Sequence, residues 1–269
     1  MRNLPENANK LDFYADAIRI LRKVRVPFLV GGAYALREYT GVSRDTKDFD
    51  IFLRSEDVQT ALAAFRKVGY RAETTFSHWL AKVHYGENFI DIIFRAGNGL
   101  CEVDDLWFRQ RKSRRLLGQR VTLVPPEEMI WQKAYIMERE RFDGADVAHL
   151  LRSCADGIDW NHLLWRFGQD WRVLVSHLLL YGFIYPDYRD LIPRAVMERL
   201  LEQVRGELAS ASTEERTSPL CQGTLISRKQ YLPDIERWGY RDVRSSRSKI
   251  TPEELSLWTN AIAPDRTGA

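Results

Sequence analysis

Three aspartates in apolar surroundings carry the chemistry this sequence can do. Asp48 and Asp50 stand in DFDIF and Asp91 in FIDIIF, among aromatic and β-branched residues. In an extended chain, residues two apart share a face, so Asp48 and Asp50 point one way and Phe49 and Ile51 the other. Two carboxylates a few ångströms apart repel each other unless a cation lies between them. An all-oxygen donor set of this kind suits a hard divalent ion. Asp91, flanked by Ile90 and Ile92, lies in too apolar a run to be an ordinary surface acid. Once the two strands are neighbours, the three carboxylates converge. Gly31-Gly32 ends the apolar run FLV just before a helical pattern, where backbone N–H groups at a helix start can hold an anionic phosphate. A carboxylate cluster beside such a turn is what metal-dependent phosphoryl transfer requires.

The elements that must position these groups follow from periodicity. An amphipathic helix spans residues 11–24, a core strand 28–30 and a second helix 33–39. A polar loop holding Ser43, Arg44, Thr46 and Lys47 leads into the Asp48/Asp50 strand. Arg44 and Lys47 read either as solvated loop or as cations that balance the carboxylates or touch a triphosphate. A helix over 55–68 is expected to be capped by Ser55, with Glu56 and Asp57 in its first turn and Gly69 at its end. Strands over 71–76, 79–85 and 89–95, with a turn at Gly86, complete a mixed sheet with helices packed on it, an α/β (α+β) class. His78 and His84 have no cysteine or acid at ligand spacing, so zinc is not expected.

The string GGAYALREYTGVSRDTKDFDIF, followed by Asp91, resembles the DNA polymerase β-like nucleotidyltransferase superfamily. It is most similar to small bacterial branches that include AbiE-type nucleotidyltransferases, although the gap from Gly32 to Asp48 is longer than in compact members. The resemblance covers residues 10–150. It implies transfer of a nucleoside monophosphate from an NTP, ATP among them, to an acceptor hydroxyl with release of pyrophosphate. Asp48 and Asp50 are then ligands of two Mg²⁺ (or Mn²⁺) ions. Asp91 shares one metal and helps deprotonate the acceptor, and Gly31 and Gly32 hold the triphosphate. Lys133 in WQKAYIMERER and Asp146 in FDGADVAHLL match later nucleotide-binding motifs, with Asp143 a neighbouring competitor. The same branch implies an antitoxin partner wherever the toxin role is kept.

The remaining chain bears on the acceptor. The 269 residues carry a net charge of only +3, so any nucleic-acid surface must be local. The densest basic run is RQRKSRR at 109–115, readable as a solvated face or as a patch for a phosphate backbone. Cys101, Cys154 and Cys221 are scattered, without metal spacing or a disulfide framework. The polar start and the lack of a membrane-length apolar run point to a soluble, cytoplasmic protein. The expected organisation is a catalytic domain over 1–124, a helical lobe over 125–206, and a linker with a C-terminal extension over 207–269. In the lobe, one long helix runs from Pro125 to about residue 141, and Trp160, Leu163, Leu164, Trp165 and Phe167 form bundle core. In the extension, Tyr231, Leu232, Ile235, Trp238 and Tyr240 dock the segment 226–249; the alternative is a tail contacting RNA. A short helix is expected within 251–269. The acceptor can be tRNA or other RNA, a protein hydroxyl, or a small molecule such as an aminoglycoside. The rival reading is a non-catalytic nucleotide- or RNA-binding protein, antitoxin-like or an adaptor, that keeps the fold.

Overall fold

A computed structural model describes residues 9–44, 46, 48–109, 112–209, 219–248 and 250–261. It divides into two compact units. One comprises residues 1–125 and 244–269, the other 126–243.

The first unit is built on a five-stranded mixed sheet. Helix α1 (Lys10–Lys23) is opened by a capping box between Asn9 and Asp12. Strand β1 (Leu29–Val30), helix α2 (Gly32–Thr40), β2 (Asp48–Phe52), α3 (Val58–Lys67), β3 (Arg71–Phe76), β4 (Leu80–Tyr85) and β5 (Asn88–Ile93) follow. The order across the sheet is β1-β2-β5-β4-β3. Within this sheet, among the described residues, β2 and β5 pair in parallel and the other neighbours antiparallel. Alternation explains which face is dry: Phe49, Ile51, Ile90 and Ile92 are fully buried, while Asp48, Asp50 and Asp91 are half-buried. Tyr14 of α1 stacks on Phe49 with ring centroids 4.9 Å apart, and Tyr34 of α2 meets the same ring edge-on. Helix α3 packs on β3 and β4 through Ala61, Leu62 and Phe65. Its start departs from expectation. Residues Ser55–Asp57 form a 3-10 turn, and no side chain caps the helix. The hairpin β6 (Ser113–Leu116) and β7 (Gln119–Thr122) reverses at Leu117 and Gly118, with φ of 49° and 73°, the positive pair that a two-residue hairpin turn requires.

The second unit is mainly helical. Helix α4 is Pro126–Ala134, α5 Gly144–Cys154, α6 Trp160–Phe167, α7 Trp171–Ile184 and α8 Arg194–Ala209. Its core is Met129, Ile130, Val147, Leu150, Leu151, Leu163, Phe167, Leu174 and Leu178. The long helix expected to reach residue 141 stops at Ala134. The chain then folds back on itself, with Met137 bridged to Phe142 and the Asp143 N–H donating to Ile136 C=O. Glu138 accounts for the break: its carboxylate accepts from Ser227 Oγ and Arg228 Nε at 2.7 and 2.8 Å, bonds that a continued helix would forfeit. Trp165, expected in the core, is 60% exposed. The inward positions of α6 fall to Leu163, Arg166 and Phe167, and Trp165 lies off that stripe. Strand β8 (Leu220–Cys221), the short helix α9 (Leu232–Glu236) and β9 (Arg241–Asp242) complete this unit. The expected anchors Trp238 and Tyr240 are also exposed, because α9 ends at Glu236 and a turn at Gly239 carries the chain outward. Cys221, Thr224, Leu225, Ser227 and Val243 are buried in their place.

Helices α10 (Arg244–Arg247) and α11 (Pro252–Asn260) rejoin the first unit. Trp258 of α11 packs against Phe76 and Trp79, with centroids 5.2 and 4.8 Å apart. Residues expected to form one extension are therefore shared between the two units. No helix among the described residues is long and apolar enough to cross a membrane. The three cysteines are buried and unbridged.

Candidate active site

The parallel pairing of β2 and β5 sets Asp50 directly opposite Asp91. One carboxylate oxygen from each of Asp48, Asp50 and Asp91 lies within 4.8 Å of the others. Burial pushes the Asp91 carboxyl above its usual range, and a bond from Lys82 partly offsets this. Asp48 Oδ1 accepts from Thr46 Oγ1, and the Thr46 carbonyl in turn accepts from Lys10 Nζ. Tyr14 lies close enough for the cluster to act on it. Burial raises its phenol first, with Tyr34, Asp48, Asp50 and Asp91 adding to the rise.

The glycine pair is tied to the same strand. Gly31 N–H donates to Asp50 C=O at 3.0 Å, and Gly32 opens α2 at φ 55°. A Cβ on Gly32 would lie 1.6 Å from Asp50 Oδ2, so only glycine lets the turn close on the carboxylate. Three hard oxygen donors within 4.8 Å fit Mg²⁺ or Mn²⁺. Arg44 is exposed in the connection between α2 and β2, and Lys47 lies outside the described residues.

Residues 9–182 match the family model described as uncharacterised nucleotidyltransferase. The chain belongs to this family. The nucleotidyltransferase has no match among curated proteins. Solved structures do match it. LnuA, a lincosamide antibiotic adenylyltransferase with lincomycin bound, is 15% identical over 53% of this chain and 96% of its own, with a TM-score of 0.38. The antibiotic-resistance factor ANT(2'')-Ia, in complex with adenylyl-2''-tobramycin, is 14% identical over 66% and 99%, with a TM-score of 0.40. An antigenic nucleotidyltransferase-like protein from Paracoccidioides brasiliensis is 16% identical over 68% and 90%, with a TM-score of 0.44.

In the second unit of the nucleotidyltransferase, the fold-back after α4 brings Lys133 together with both Asp143 and Asp146. Lys133 Nζ donates to Asp143 Oδ2 at 2.7 Å and to Asp146 Oδ2 at 2.8 Å. Asp143 also accepts from Arg141 Nε and Nη2. Burial raises the Asp143 carboxyl, but the bonds and charges of Arg141 and Lys133 outweigh it and hold the group at about 2 instead of 3.8. A depressed carboxylate contributes stability that is complete above its unfolded value and lost as pH falls through the folded one. That contribution is about 2 kcal/mol for a buried group displaced this far. Thermal melts of wild type and Asp143→Asn should therefore differ most above pH 4 and converge as pH falls toward 2.

Of the basic run, Ser113, Arg114 and Arg115 lie on β6. Arg115 sits directly opposite Arg120 and both are exposed, while Arg114 pairs with Val121 on the other face of the ribbon. Gln110 and Arg111 lie outside the described residues. The histidines serve structure: His78 bonds Gly97 C=O, His177 bonds Ala134 C=O, and His162 meets Glu128. Sequence reasoning missed Lys82, although the Gly86 turn held the signal. A two-residue turn at 86–87 pairs Tyr85 with Asn88, and counting back sets Lys82 opposite Asp91.

Proposed function

We propose that the protein transfers a nucleoside monophosphate from an NTP to a hydroxyl of RNA, using a divalent metal held by Asp48, Asp50 and Asp91. The observation that carries this reading is the convergence of the three carboxylates beside a turn that only glycine can close. Bound there, Mg²⁺ or Mn²⁺ supplies positive charge against the triphosphate and the charge that develops on transfer. The N–H groups at the start of α2, after Gly31, hold phosphate oxygens. Asp91 takes the proton of the attacking hydroxyl. The acceptor oxygen bonds to the α-phosphorus, the bond from that phosphorus to its bridging oxygen breaks, and pyrophosphate leaves. A nucleotide-binding role for Lys133 is part of this proposal only as the family resemblance implies it; within the second unit its ammonium is engaged by Asp143 and Asp146.

The RNA acceptor rests on the β6–β7 ribbon. Like charges directly opposite on a ribbon are destabilising, and an anionic backbone lying across Arg115 and Arg120 relieves them. Aminoglycoside-like and other small acceptors suit the same carboxylates, as does a protein hydroxyl. Incubation with each α-labelled NTP, Mg²⁺ and total cellular RNA tests the reading, with Asp50→Asn as control. Label should enter RNA only when Asp50 is intact, and retained turnover in Asp50→Asn would sink the assignment of the acids. Label in protein or in a small-molecule fraction would replace the acceptor. Mg²⁺-dependent NTP binding without transfer to anything would favour the non-catalytic reading. An antitoxin partner belongs to this proposal only if RNA is the acceptor and its modification halts growth.

A further inference from the structure

Lys82 has no part in the reading above, yet it stands in the same row of side chains. The registers of β3, β4, β5 and β2 set Glu73 opposite Lys82, Lys82 opposite Asp91, and Asp91 opposite Asp50. On one side of the lysine, the Glu73 carboxylate is engaged by Arg71 at 3.0 Å and lies 3.3 Å from His84 Nε2. The ammonium turns to the other side, where Nζ lies 2.5 Å from Asp91 Oδ1. The Phe89 ring holds it from below, with Nζ 4.1 Å from the centroid. The Lys82 side chain is 23% exposed and that of Asp91 14%, so this is not a loose surface pair. Among the described residues, the same Asp91 belongs to the one carboxylate group able to hold a metal.

Charge then limits what the centre accepts. Three ionised carboxylates beside one fixed ammonium keep two negative charges, which a single divalent ion neutralises. A second divalent ion would leave the centre strongly positive with Lys82 as a close like charge. Resting on the metal-dependent reading, we infer that Lys82 is a built-in cation standing in for one of two metal ions, so that the Asp48–Asp50–Asp91 centre takes one divalent ion before nucleotide arrives. Lys82 is thus a positioning residue: it fixes Asp91 Oδ1 and sets the ion count.

The test is titration of the full chain with Mn²⁺ without nucleotide, following free Mn²⁺ by electron paramagnetic resonance. Wild type should bind one ion, lost in Asp50→Asn. Lys82→Met should bind two, and Lys82→Arg should return to one. Two ions in wild type, or one in Lys82→Met, would overturn the inference and leave the metal-dependent reading standing. No ion in either protein would overturn both. If Lys82→Met does not fold, Lys82→Gln makes the same comparison, and the wild-type count decides by itself whether the centre holds one ion or two.

Discussion

Gly32→Ala should lose turnover by at least about a hundredfold while the protein remains folded. Two costs coincide at this position. The backbone sits at φ 55°, where a Cβ costs roughly 1–2 kcal/mol. The new atom would also fall 1.6 Å from Asp50 Oδ2, so the carboxylate must leave its place. A displacement of that size among reacting groups costs about 10²-fold or more. Gly69→Ala separates the two effects. Gly69 has φ 99° but nothing within 4 Å of its added Cβ, so it incurs the backbone cost without the clash. Both variants should lose thermal stability through the backbone, with the clash adding to the loss in Gly32→Ala, and only Gly32→Ala should lose label transfer and Mn²⁺ binding. Equal loss of activity in Gly69→Ala would mean that backbone strain alone, and not the approach to Asp50, governs the site.

Asp48, Asp50 and Asp91 were legible because each stands alone in an apolar strand, where period-2 alternation assigns a face without knowledge of the fold. Gly31-Gly32 was legible by its place before a helix, but not the reason: the approach to Asp50 depends on the Gly31 N–H bonding across to β2. Lys82 needed one more step, carrying the register of a two-residue turn across to the next strand. Periodicity alone would continue helix α4 to residue 141. What stops it is a contact between Glu138 and Arg228, 90 residues apart.

Trp165 shows the same limit from the other side. Aromatic residues at helical spacing read as core, yet a charged residue took the inward position. That residue, Arg166, is part of a buried ionic cluster in the second unit that no local pattern announces. Its Nε and Nη2 lie 3.0 and 2.8 Å from Glu128 Oε1, and His162 Nε2 approaches the same oxygen at 2.8 Å. Its guanidinium lies over the Trp131 ring, 4.8 Å from the centroid. The partners are 38 residues apart, so tertiary folding alone joins them.

Arg166→Met should therefore cost about 3–5 kcal/mol of stability in the second unit at neutral pH, as expected when one partner of a buried pair is removed. The cost arises mainly from Glu128, which is 1% exposed and would keep its charge without the guanidinium. Burial already pushes this carboxyl up, with Arg166 and His162 pulling it back. Removing Arg166 leaves the upward push less opposed. A raised carboxyl contributes most below its unfolded value and loses that contribution as pH rises through the folded one. The variant should thus lie closest to wild type below about pH 4 and fall away as pH increases, opposite in direction to the acid loss expected at Asp143. Glu128→Leu combined with Arg166→Met should recover most of the loss, because replacing both charges removes the desolvation cost together with the attraction. A double variant as unstable as Arg166→Met alone would show that the guanidinium supports the helices through Trp131 and packing, with the ion pair contributing little.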